Sequence, residues 1–330
     1  MRVLMIGGTK FIGRRITEEL IARGDDVTVV HRGENEPDDL PGCAHLHADR
    51  ADFASLATEV RSFAPDAVVD TMALSRADVT AVLPHLPEAK LVVLSSVDVY
   101  RAFELQDSPV AEVPVPIDEE SPVRHGRYPY RGMMPRFHDY EKLDVEPLYL
   151  ERGGAVLRLG LIYGEHDGQR REEFILRRVR AGRTRIPVGA GNWLISRCYV
   201  GDVAGAVLAA VDQDAACGQI FNVVEPVCGT VLEWARQILA AAEHDAELAT
   251  VRHKDLPADM DMTALYAQHE LYDSRKARDL LGWRPAGAGP GVAASVRWHL
   301  AHPPAGADPD FSADDRALAA ATEGSNSSRS

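Results

Sequence analysis

Short apolar runs alternate with longer stretches of helical spacing through the first half of the chain. Val3–Ile6, Val27–Val30, Ala67–Val69 and Leu91–Leu94 are rich in Val, Ile and Leu, as strands buried on both faces should be. Between them, Gly13–Arg23, Ala54–Ala64 and Arg76–Leu83 carry apolar residues at helical intervals. The alternation predicts βαβ units and hence an α/β fold, a doubly wound parallel sheet with helices on both faces. A further strand, Ala155–Leu159, follows a helix-like segment at Tyr140–Arg152. From Phe103 to Pro135 the prolines at 109, 114, 116, 122, 129 and 135 predict a long irregular loop over the sheet's carboxyl edge. After Gly164 the pattern loosens into a smaller C-terminal α/β lobe. The expected division is residues 1–165, with returning segments near 195–225, for the sheet domain and 166–300 for the lobe. Residues 301–330 are small, polar and Pro-containing, and predict a flexible tail with at most a short helix near Ala317.

The chain's 330 residues, 45% hydrophobic and 26% charged, suit an ordinary globular core. A net charge of −14 opposes contact with nucleic acid or an anionic membrane, while leaving room for a local phosphate pocket. Cys43, Cys198, Cys217 and Cys228 are scattered without metal-type spacing, which suits reduced thiols in a cytoplasm and predicts no metal site. The first strand begins at Arg2, leaving no room for a signal peptide, and no apolar run reaches membrane-spanning length.

The first strand leads directly into "GGTKFIG", Gly7 to Gly13, and then into a helix. Gly7 permits a sharp turn, Gly13 permits close helix–strand packing, and the helix N-terminus offers N–H groups to a pyrophosphate. A tight turn without a ligand is the plainer alternative. This stretch resembles the fingerprint of the extended short-chain dehydrogenase/reductases, the NAD-dependent epimerase/dehydratase family, from Arg2 to about His299. Lys10, where a third turn glycine often stands, is similar to an atypical branch that includes the chloroplast stem-loop-binding proteins.

The resemblance implies a Rossmann domain in which Gly7, Gly8, Thr9, Lys10, Phe11, Ile12 and Gly13 surround the coenzyme diphosphate. His31 and Arg32 stand where NAD-preferring members carry an acidic residue. Arg32 suits the 2′-phosphate of NADP, Glu34 keeps NAD open, and a solvated loop charge is the bland reading. By the same resemblance Asp49 and Arg50 flank the adenine, and Thr71, Met72 and Ala73 run towards the nicotinamide ribose. Ser95 and Leu161 are expected beside the coenzyme.

"VVLSSVDVY" resembles the strand whose Ser, four residues before a Tyr, orients the substrate oxygen, which implies that role for Ser96. The family's base is a Tyr four residues before a Lys. In "HDYEKLDVE" Lys142 and Glu146 fit that pattern, but the base position holds His138, while Tyr140 lies two residues before the Lys on a different helical face. Three readings stay open: His138 as base, a relocated tyrosine (Tyr128, Tyr130 or Tyr140), or no redox turnover. Lys142 is expected on the nicotinamide ribose.

Asp98, Tyr128, Trp193 and Arg197 are the candidate substrate contacts, although Arg197 packing against the lobe boundary is an equal alternative. Gly160 stands where many nucleotide-sugar enzymes carry an Asn, and Ile195 stands where they carry an Arg. The expectation is therefore an NAD(P)-dependent epimerase, dehydratase or reductase acting on a small polar substrate, as a homodimer. The alternative is a nucleotide-binding protein without redox turnover, acting as a sensor or an RNA-associated component.

Overall fold

Seven strands, each paired in parallel, form one sheet: β1 (Arg2–Ile6), β2 (Asp26–His31), β3 (Ala44–His47), β4 (Ala67–Asp70), β5 (Lys90–Ser96), β6 (Ala155–Leu159) and, last in the chain, the strand Ile220–Val223. From that last strand the order runs β6-β5-β4-β1-β2-β3, so the winding reverses between β1 and β4, where doubly wound sheets hold their ligands. The structure is a computed structural model describing residues 1–34, 36–37, 39–40, 42–306 and 310–327.

The helix Phe11–Ala22 follows from its spacing, since Gly13, Ile16, Thr17 and Leu20 recur on one face and are buried against the sheet. Val3, Met5, Val29, Val69 and Leu94 fill the core on that side, with Val203 and Val207 of the helix Val200–Asp212. Leu4, Ile6, Val68, Val93 and Tyr149 fill the opposite core. One strand of the sheet lay outside the expectation. β3, "AHLH", is a half-buried edge strand whose polar residues hide the apolar run, and Ile220–Val223 lies in a segment expected to return to the sheet.

The C-terminal lobe has its own core around Trp234, Phe174, Ile238 and Val296. The chain's last segment departs from the expected flexible tail. A helix spans Ser312–Ser327, and its Asp314 is buried against Arg178, which donates at 2.8 and 2.7 Å. A buried guanidinium requires such a partner, and the sequence pattern of the tail alone does not reveal it. Among the described residues no helix is long and apolar enough to cross a membrane.

Candidate active site

The glycine turn is built as a nucleotide cradle. Gly7 adopts φ +85°, and a Cβ on Gly13 would lie 1.9 Å from the Gly7 carbonyl oxygen, so only glycine fits there. The Thr17 hydroxyl ties the helix back by donating to the carbonyls of Gly8 and Gly13 at 3.1 and 2.9 Å. No side chain caps the helix N-terminus at Lys10, and its first turn holds no acidic residue, so its leading N–H groups suit an anionic diphosphate. Lys10 is exposed, and Phe11 is held at φ +36°, a left-handed conformation that costs a bulky residue roughly 1–3 kcal/mol. The donor set fits a dinucleotide.

Other expected coenzyme contacts are already engaged within the protein. The Thr71 hydroxyl donates to the Gly7 carbonyl at 2.6 Å, and Ala73 is buried. Met72 is half exposed at the mouth of the turn, and Leu161 is half-buried at the start of a short strand. Arg50 grips buried Asp70 at 2.9 and 2.5 Å, and that carboxyl is held below its usual range despite burial. Asp49 is exposed and accepts from the Ala51 amide, capping a turn. Ser95 points away from the cleft and donates to Glu146 at 2.6 Å, because alternate strand residues face opposite sides of the sheet. Arg32 is exposed and pairs with Glu34 at 3.0 Å.

At the carboxyl end of β5, Ser96 accepts from the Asp98 amide at 3.2 Å. The Asp98 side chain is buried, and its Oδ2 receives two phenols, Tyr140 at 2.8 Å and Tyr130 at 3.0 Å. Its Oδ1 is buried with no partner. Burial pushes the Asp98 carboxyl up, against the bonds from both tyrosines, and burial with the neighbouring carboxylate drives both phenols up. The Lys142 ammonium lies 5.6 Å from the Tyr140 ring centroid and donates to the carbonyls of Ala73 and Leu94 at 2.7 Å each. Burial brings its pKa down to about 8.

His138 stands outside this cluster: its ring is largely exposed and pairs with Asp139 at 2.9 Å. The expected helical count fails for a local reason. The helix begins only at Lys142, with Glu141 as its extended N-cap at φ −157°, ψ 92°. Tyr140 therefore precedes the helix, and in an extended segment residues two apart point the same way.

Glu141 points elsewhere and acts as a clamp. It accepts from Arg124 at 3.0 and 2.5 Å, from Arg127 at 3.0 Å, and from the amide of Tyr128 at 2.7 Å. The proline-rich loop is thus held to the start of the helix Lys142–Leu150. Tyr128 itself sits in that loop under the Arg131 guanidinium.

Trp193 stacks on Tyr266 with ring centroids 4.2 Å apart and belongs to the lobe core. Arg197 is buried over the Trp234 ring and donates to the Ile195 and Gly229 carbonyls. Both serve packing, so neither is left free for a substrate.

Glu270, unforeseen in the sequence, is wholly buried and bonded by the Tyr272 hydroxyl at 3.0 Å. A bridge to Ile195 brings it in from far along the chain, which no local motif signals. Burial pushes its carboxyl up to about 7. Between pH 4.5 and 7 the folded state thus holds this proton more tightly than the unfolded chain, so stability falls as pH rises through that window. Glu270→Gln is expected to gain roughly 1–3 kcal/mol at pH 8 and almost nothing at pH 4.5, read by urea unfolding at both. Equal effects at both pH values would refute the assignment.

Residues 3–86 match the model of the NAD dependent epimerase/dehydratase family. The chain is 26% identical over 304 residues to the chloroplast stem-loop binding protein of 41 kDa b from Arabidopsis thaliana, covering 86% of this chain and 75% of that one. It is 26% identical over 309 residues to a 3-diazoavenalumate denitrifying reductase from Streptomyces, covering 86% and 96%. The UDP-glucose 4-epimerase of Bifidobacterium longum, solved with NAD+ and UDP, superposes with a TM-score of 0.66 over 92% of this chain and 99% of that one, at 18% identity. Residues 3–86 thus carry the family's signature, and the chain shares the fold of that epimerase.

Proposed function

We propose that this epimerase/dehydratase-type chain is an NAD(P)-dependent oxidoreductase working chiefly as a reductase on a carbonyl carbon of a small polar substrate. The bound coenzyme supplies hydride to that carbon. The observation that carries the reading is the convergence of two tyrosine hydroxyls on one oxygen of buried Asp98, beside Ser96 and Lys142. Ser96 orients the substrate oxygen by hydrogen bonding. Tyr140 gives its phenolic proton to that oxygen as the carbon–oxygen double bond becomes a single bond. Asp98 accepts from Tyr140 and Tyr130 and so holds the phenol in place, the nearby ammonium of Lys142 steadies the transient phenolate, and a solvent proton then restores the phenol. A phenol kept neutral by a carboxylate neighbour is a better proton donor than acceptor, which favours the reductive direction. The Streptomyces relative is itself named a reductase.

A second reading, nucleotide binding without turnover, draws on the protein partners that Tyr140 and Lys142 already have, and on the name of the chloroplast relative. The two separate by titrating the protein with NADPH and NADH, then adding a panel of small aldehydes and ketones while following reduced-nicotinamide absorbance. Consumption of coenzyme with any carbonyl supports the reductase. Tight coenzyme binding with no consumption across the panel favours the second reading. Exposed Arg32 supports a preference for NADPH, so Arg32→Glu is expected to weaken NADPH roughly tenfold or more while leaving NADH within about threefold. Equal losses for both coenzymes would remove Arg32 from the 2′-phosphate.

A further inference from the structure

β2 and β3 run side by side with His31 opposite His47 and Val29 opposite His45. Strand alternation then puts His31, His45 and His47 on one face of the sheet's edge. Glu36, from the segment after β2, reaches the same point. One nitrogen from each ring and one Glu36 oxygen lie within 4.8 Å of one another. His31 Nε2 is 2.8 Å from His45 Nδ1 and 3.2 Å from Glu36 Oε1, His45 Nδ1 is 3.8 Å from that oxygen, and His47 Nε2 bonds it directly. Tetrahedral zinc with bonds near 2.0–2.1 Å separates its donors by about 3.3 Å. All four atoms lie within reach of one such ion, which would enter by lengthening the His47–Glu36 and His31–His45 hydrogen bonds.

We propose that His31, Glu36, His45 and His47 form a binding site for a zinc-class divalent cation, one that clips the segment after β2 to the sheet edge. Three imidazoles and one carboxylate select zinc, cobalt or nickel over calcium or magnesium, which want oxygen ligands. Cys43 Sγ lies 3.5 Å from His45 Nε2, the ring nitrogen facing away from the cluster, as an outer-shell partner does. His31 is mostly buried whereas His47 and Glu36 are open to water, so an ion has an entry path. The Gly33 amide donates to His31 Nδ1 at 3.1 Å, so binding turns that amide away and moves the His31 proton from Nε2 to Nδ1. None of these steps depends on the oxidoreductase reading.

The test is zinc uptake by the full-length, tag-free protein after chelation and dialysis, measured as bound metal per chain, with cobalt(II) absorbance reporting coordination. One equivalent and a tetrahedral cobalt spectrum are expected. The double variant His45→Gln/His47→Gln is expected to bind roughly a hundredfold more weakly, or worse, with its circular dichroism unchanged. Should that variant misfold, Glu36→Gln on the exposed segment is expected to weaken zinc by roughly tenfold and alter the cobalt spectrum. No uptake at micromolar zinc, or unchanged uptake by the folded variants, would overturn the site.

Discussion

Tyr140→Phe is expected to cut turnover by roughly 10²–10⁴-fold, the usual contribution of a positioned proton donor, while coenzyme affinity stays within about threefold. His138→Ala is expected to leave both nearly unchanged. The contrast follows from placement: the Tyr140 hydroxyl is buried 2.8 Å from Asp98, and the His138 ring is largely exposed beside Asp139. Asp98→Asn should lower turnover in the same direction, because it weakens the acceptor that holds the Tyr140 hydroxyl in place. The measurement is steady-state oxidation of reduced coenzyme with whichever carbonyl the panel identifies. If His138→Ala abolishes turnover and Tyr140→Phe does not, the proton path drawn here is wrong.

Gly13→Ala is expected to damage both stability and coenzyme binding. The new methyl would meet backbone, the Gly7 carbonyl, at 1.9 Å, and backbone cannot step aside as a flexible side chain can. Overpacking of this kind costs roughly 1–3 kcal/mol or more, and the displaced helix would carry its N–H groups away from the diphosphate. Affinity for NADP+ and NAD+ should fall by roughly a hundredfold, read by calorimetry alongside denaturant unfolding. Lys10→Gly makes the opposite comparison. Its side chain is exposed, so restoring the common glycine should change affinity by less than about tenfold. A Gly13→Ala protein that binds both coenzymes normally would remove the turn from the site.

The strands β1, β2, β4, β5 and β6 were legible because each is a short, largely apolar run, as a strand covered on both faces requires. The glycine turn was legible because its chemistry is local: one strand end, one turn and one helix start. β3 was not, since an edge strand that exposes histidines lacks that apolar signature. Nor was the metal-type cluster, whose ligands come from two strands and a connecting segment, with no short spacing to join them. The faces of His138 and Tyr140 were not legible for a subtler reason. Counting residues from Lys142 assumes that the helix already exists at His138, and the backbone becomes helical only at Lys142. Trp193, Arg197 and Asp314 depend on partners distant in sequence, so their packing roles could not be read locally.

Glu141 has a consequence for how the proline-rich loop and the helix bearing Lys142 can move. The same carboxylate that starts the helix bearing Lys142 also fastens the proline-rich loop through Arg124, Arg127 and Tyr128. Loop and helix share one bolt, so freeing the loop from Glu141 also uncaps the helix that carries Lys142.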